Sequence, residues 1–133
     1  MSYKSLLTLA ASPNRVGTTL AAVAGLARSF DAHLDALAVG VDRTQVGYSY
    51  VGSGAVMLQM ALERAEEEAR RTEAAMKTAL AAEGPDLRWG LETAVTQLGA
   101  LTELVAMRAR YADLVVLPKP YGKATGPEDE AIL

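Results

Sequence analysis

The chain contains no cysteine. That absence excludes disulfides, thiolate metal ligands and thiol nucleophiles together, and it suits a reducing compartment. Histidine is nearly absent too, with His33 standing alone. His33 falls at the start of a strand pattern, away from the strand ends where α/β sites form, so it reads as a surface histidine and leaves a Ser-His mechanism without a base. No apolar run reaches the ~18 residues of a membrane span. The start, Met1 to Leu7, lacks the long apolar stretch of a secretory leader. Positive charge is scarce as well: 13 Lys and Arg against 16 Asp and Glu give a formal net charge of −3. Without a basic stripe, nucleic acid is a poor partner. The expectation is a soluble, cytoplasmic protein that engages neither membrane nor nucleic acid.

What remains is apolar and regular. The 133 residues are 50% hydrophobic and 22% charged, which suits one globular domain spanning 1–133. Ser5 to Ala11 is a nearly continuous apolar run, the mark of a strand buried on both faces. Ser12-Pro13-Asn14 breaks it, and either Ser12 or Asn14 can cap the helix that follows. Leu20, Val23, Ala24, Ala27 and Phe30 then recur at helical spacing. His33 to Val41 reads as a second strand. Asp42 to Gly54 is a loop carrying Tyr48 and Tyr50.

From about Ala55 to Glu83, Leu58, Leu62, Ala65, Ala69, Thr72, Met76 and Ala79 recur at steps of four and three. Acid-before-base pairs Glu66/Arg70, Glu67/Arg71 and Glu73/Lys77 support this long helix at i,i+4. Gly84-Pro85 stops it. Leu87 to Val95 alternates as a third strand, and Thr96 is placed to cap a third helix running to about Tyr111. Asp113 to Leu117 is a short, β-branched, apolar fourth strand ended by Pro118 and Pro120. Thr125 to Glu130 has the cap, proline and acids of a further helix start.

Alternation of this kind predicts an α/β fold: an open, doubly wound parallel sheet in three α/β/α layers. Four strands are present, and the pattern is expected to continue with another helix and a fifth strand. Ligands of such sheets sit beyond the carboxyl ends of the strands, where strand order switches. Those ends are Ala10-Ala11-Ser12, Val41-Asp42, Val95-Thr96 and Pro118 to Gly126.

Several chemistries lack their residues there. Acids do not follow the first and third strands, which excludes a phospho-acceptor receiver. No G-x-x-x-x-G-K-[ST] loop, no G-x-G-x-x-G after the first strand and no G-x-S-x-G elbow occurs. Gly52-Ser53-Gly54 can offer backbone N–H groups to an anion or simply cap the long helix. Pro118 to Gly126, with Lys119, Lys123, Gly122 and Gly126, holds parts of a phosphate site, although its prolines remove two donors. A solvated crossover loop fits the same residues. The four-three stripe of the long helix can serve a partner helix or, more simply, pack on the sheet.

Three segments together resemble the universal stress protein family. Tyr3 to Leu9 with the helix after it is similar to that family's first strand and helix. Ala32-His33-Leu34-Asp35-Ala36-Leu37-Ala38-Val39 resembles its second strand. Ala109-Arg110-Tyr111-Ala112-Asp113-Leu114-Val115-Val116-Leu117 resembles the end of its third helix and its fourth strand. The resemblance implies a stress-response module, and family members divide into ATP binders and non-binders. Binders carry an Asp at the end of the first strand and a G-x2-G-x9-G-[ST] run after the fourth. Here Ala10 or Ala11 takes the Asp position, and only Gly122-x3-Gly126 follows the fourth strand. By resemblance Val39 would flank an adenine, and Gly122 and Gly126 would lie near phosphates. The candidate cofactor-binding positions are thus Ala10, Ser12, Val39, Pro118, Gly122 and Gly126, for ATP or AMP bound weakly or not at all.

The resemblance also implies pairing, as a homodimer or between tandem domains. The expected function is a non-enzymatic module with a degenerate or incomplete ATP site. Two alternatives stand beside it: an interaction module using the long helix and the Tyr48/Tyr50 loop, and an enzyme of the adenine-nucleotide hydrolase-like fold.

Overall fold

The computed structural model describes residues 3–42 and 54–117. The chain order is β1 (Ser5–Ala10), a 3-10 turn (Pro13–Arg15), α1 (Val16–Phe30), β2 (His33–Asp42), α2 (Gly54–Ala81), β3 (Trp89–Gln97), a second 3-10 turn (Leu98–Ala100), α3 (Leu101–Ala109) and β4 (Leu114–Val116). All strand pairings are parallel, and the sheet order is β3-β2-β1-β4. The doubly wound α/β sheet expected from the alternation is therefore present.

The order follows from handedness. Two right-handed crossovers step from β1 to β2 to β3 in one direction and place α1 and α2 on one face. The chain then returns past β1 to β4, which puts α3 on the other face. Side-chain parity agrees. Leu6, Ala10, Leu34, Ala36 and Ala38 join α1 residues Val16, Leu20, Val23, Ala24 and Ala27 and α2 residues Met76 and Leu80 in one core. Leu9, Ala11, Leu37, Val39 and Val41 join Leu101 and Val105 of α3 in another.

Small residues set the spacing of the first layer. At Gly40 an added Cβ would strike the Ala65 carbonyl and come within 3.0 Å of the Ala69 Cβ. The α2 backbone lies directly on β2 there, which only glycine permits. Along α2 the buried stripe is Ala65, Ala69, Thr72, Met76 and Leu80. Leu58 and Leu62, expected in that stripe, are 41% and 39% exposed. At 28 residues and ~1.5 Å per residue the helix outruns the sheet, so its first turns overhang. Arg70 turns to Glu67 at i,i+3, 2.8 Å away, rather than to Glu66, and Arg71 reaches Glu67 at 3.3 Å. Gly84, at φ 95°, takes the left-handed conformation just after α2 and turns the chain toward β3.

Three boundaries differ from expectation. Leu87 is buried but precedes β3, where it closes the α1/α2 core from a loop. Thr96 lies within β3 and caps nothing; Gln97 precedes the 3-10 turn without a side-chain bond to it. β4 keeps only three residues, all half-buried, because β1 is its one strand neighbour among the described residues.

The joint between the first and last strands is specific. The Asp113 carboxylate accepts from the Lys4 and Ser5 backbone N–H groups at 2.7 and 3.0 Å. The buried Thr8 hydroxyl donates to the Val116 carbonyl at 2.8 Å.

Candidate functional site

In this strand order the direction of winding reverses between β1 and β4, so the crevice of interest opens at the carboxyl end of β1. β1 stops at Ala10, paired with Ala38, while β2 continues to Asp42 alongside β3. The last turn of β2 therefore stands above the end of β1 and forms one wall of a step.

The residues on this step are mostly small. Ala10 and Ala11 are 5% and 8% exposed. Ser12 has an extended backbone, φ −152° and ψ 139°, and its Oγ accepts from the Asn14 N–H at 3.4 Å. Ser12, not Asn14, is thus the cap, and it delivers the chain into the 3-10 turn that precedes α1. That turn has no acid in it.

Of the sequence candidates, Ala10, Ser12 and Val39 lie in the described structure, and they do not share one face. Ala10 belongs to the α1/α2 core, whereas Val39 belongs to the α3 core together with Ala11. Ala11 is therefore the β1-end residue on the same side as Val39. The Val39 side chain is fully enclosed. Pro118, Gly122 and Gly126 fall outside the described residues, as do the Gly52-Ser53 part of the glycine loop and the Tyr48/Tyr50 segment.

Asp42 is named among the strand ends but not among the candidate cofactor-binding positions. It is 8% exposed, at the carboxyl tip of β2 beside Gln97 of β3. A buried acid at a strand tip is a recognisable signal in this fold class, but the apolar stretch before it drew the strand boundary one residue short. Among the described residues, no group of His, Cys, Asp and Glu is arranged to hold a metal ion. His33 sits at the opposite edge, with Nε2 3.1 Å from Asp35 Oδ1.

No family model matches the sequence, and no curated protein is significantly similar to it. The architecture is more informative. The chain superimposes on universal stress protein UspA from Lactobacillus plantarum with a TM-score of 0.65, covering 99% of this chain and 91% of that one at 19% identity. This chain has a universal-stress-protein-like fold. Within a universal-stress fold the step at β1 is the topological switch point, and Ala10, Ala11 and Ser12 are its floor. No described helix is long and apolar enough to cross a membrane.

Proposed function

We propose that the chain is a universal-stress-type module whose switch-point crevice is a degenerate nucleotide site. It acts by pairing, with a second copy or a tandem domain, rather than by catalysis. The carrying observation is the floor of the crevice: Ala10 or Ala11 stands where nucleotide-binding members of the resembled family place an Asp. Neither alanine can accept a hydrogen bond from an adenine amino group through its side chain. Acid–base catalysis needs paired titratable groups in the crevice. The described carboxyl edge offers Ser12, Asp42, Thr96 and Gln97, and the lone histidine is at the far edge. Pairing is supported by β4, whose outer side has no strand beside it among the described residues.

Titration calorimetry with magnesium-ATP tests the reading. The expected trace shows no binding in the low-micromolar range, and a low-micromolar Kd overturns it. Light scattering on the same sample checks pairing, with a dimer mass expected and a monomer at all concentrations counting against it.

One observation favours a second reading, a docking module that ignores nucleotide altogether. The overhanging start of α2 exposes Val56, Met57, Leu58, Met60 and Leu62 together, a concentration of apolar surface of the kind that marks interaction sites. Amide NMR titration with millimolar magnesium-ATP separates the two. Weak saturable shifts at Ala11 and Ser12 favour the degenerate nucleotide site, and no saturable shifts favour docking.

A further inference from the structure

A cavity of about 340 Å³ opens on the α3 side of the sheet, at the edge opposite the switch-point crevice. Topology creates it. α3 carries the chain from the carboxyl end of the edge strand β3 to the amino end of β4, beyond β1. It therefore crosses the sheet obliquely and, among the described residues, leaves the amino halves of β2 and β3 bare. Leu7 and Leu37 form an apolar floor, 5% and 2% exposed.

Charge surrounds that floor. Asp35 lies opposite Gly90, and Leu37 opposite Glu92, so the two carboxylates share one face a diagonal step apart. Both are accessible, with side chains 56% and 64% exposed. Gly90 keeps the space between them open: a Cβ there would sit 3.6 Å from His33 Nε2 and 3.7 Å from Asp35 Oδ1. The Arg108 guanidinium reaches down from α3 to Glu92, which shows that a planar cation fits this wall. Tyr111, 85% exposed, stands at the rim and presents a ring to whatever enters.

We propose that this groove binds a small organic cation, a primary ammonium or guanidinium carried on an apolar body. The charged head lies between Asp35 and Glu92, in place of Arg108 or beside it. The apolar body covers Leu7 and Leu37. Two carboxylates face one permanent cation, Arg108, and the His33 imidazole, which sits 3.1 Å from Asp35 Oδ1. With that imidazole neutral the wall is net acidic, which selects a cation over a neutral or anionic ligand of the same shape. The site lies at the opposite strand edge from the crevice and shares no lining residue with it.

Amide NMR titration with benzylammonium, against benzyl alcohol and benzoate as isosteric controls, tests this directly. The expected result is saturable shifts at Asp35, Gly90, Glu92 and Tyr111 with a millimolar Kd. Benzyl alcohol and benzoate should bind about 10-fold more weakly or not at all, a difference of about 1.4 kcal/mol. Asp35→Asn and Glu92→Gln should each weaken benzylammonium about 5-fold while leaving the remaining spectrum folded. Gly90→Leu should fill the gap and abolish binding. Absence of saturable shifts, equal binding of benzyl alcohol, tighter binding of benzoate, or indifference to both carboxylate variants would overturn the proposal.

Discussion

The two faces of the sheet are built to different standards. One carries α1 and the 28-residue α2 pressed against β2 at Gly40. The other carries, among the described residues, the nine-residue α3 over Leu9, Leu37 and Val39. The first face is sealed by small residues that let backbones touch. The second is partly open, and the open part is where charged side chains gather around a cavity. Tight packing fixes a framework, and the looser face has room for a ligand beside Leu37.

Five substitutions probe this contrast, taken from the largest expected effect downward. Gly40→Val drives a branched side chain into the α2 backbone and should cost about 3 kcal/mol or more, or prevent folding. Denaturant unfolding measures it, and a near-neutral result would mean that α2 lies farther from β2 than described. Leu80→Ala and Leu101→Ala remove the same atoms from equally buried sites, one on each face. Leu80→Ala should cost about 4 kcal/mol and Leu101→Ala about 2, because the thinner layer collapses more readily into the space. Equal midpoint shifts in urea would erase the distinction between the faces.

Asp113→Ala strips two backbone N–H groups of their acceptor at the start of β1 and should cost about 1–2 kcal/mol. Hydrogen exchange should rise at Lys4 and Ser5 and stay unchanged at Leu34. A uniform rise across the sheet would show that Asp113 does not act locally.

Glu67→Gln belongs to neither face and should have the smallest effect. The Arg70 hydrogen bond, with the nearby Arg70 and Arg71 charges, holds the Glu67 carboxyl below the usual carboxylate value. A depressed carboxyl stabilises the fold above its unfolded value and loses that contribution as pH falls through the folded one. Thermal melts of the two proteins should therefore differ slightly at neutral pH and converge in acid. Because the pair is exposed, the neutral-pH gap should be close to the scatter of the measurement.

Much of this architecture was legible in the chain. The alternation of apolar runs and helical stripes implied the parallel sheet with helices on both faces, whereas the strand order that sets α3 opposite α1 and α2 needed the pairings themselves. What local pattern could not supply was context. Leu87 is as apolar and buried as a strand residue, yet it closes the core from a loop. Thr96 has a capping side chain, but its β-branch suits the strand in which it lies. Leu114-Val115-Val116 looks doubly buried, and is only half so because among the described residues it pairs on one side. The stripe of α2 reads evenly from Leu58 onward, but the sheet below it ends sooner. At the candidate site, the substitution of alanine at the end of β1 was visible at once. That Val39 shares its face with Ala11 and not Ala10 needed the register. The Asp35, Glu92 and Arg108 cluster was invisible, since those residues are far apart in sequence and only parallel pairing and an oblique helix bring them together.

The position of β4 also dictates the order in which the molecule can be assembled. Thr8 must find Val116, 108 positions away, whereas β1 meets β2 after a single helix. Closing the longer loop carries the greater entropic cost and gains only a three-residue ladder. The β1-to-β3 half can therefore form while the rest of the chain is still being synthesised, with the outer side of β1 waiting unpaired. The Asp113 clamp and the Thr8 hydroxyl then act as a latch on a partly folded platform, and variants that weaken the latch should slow the last step of folding while leaving the platform's formation untouched.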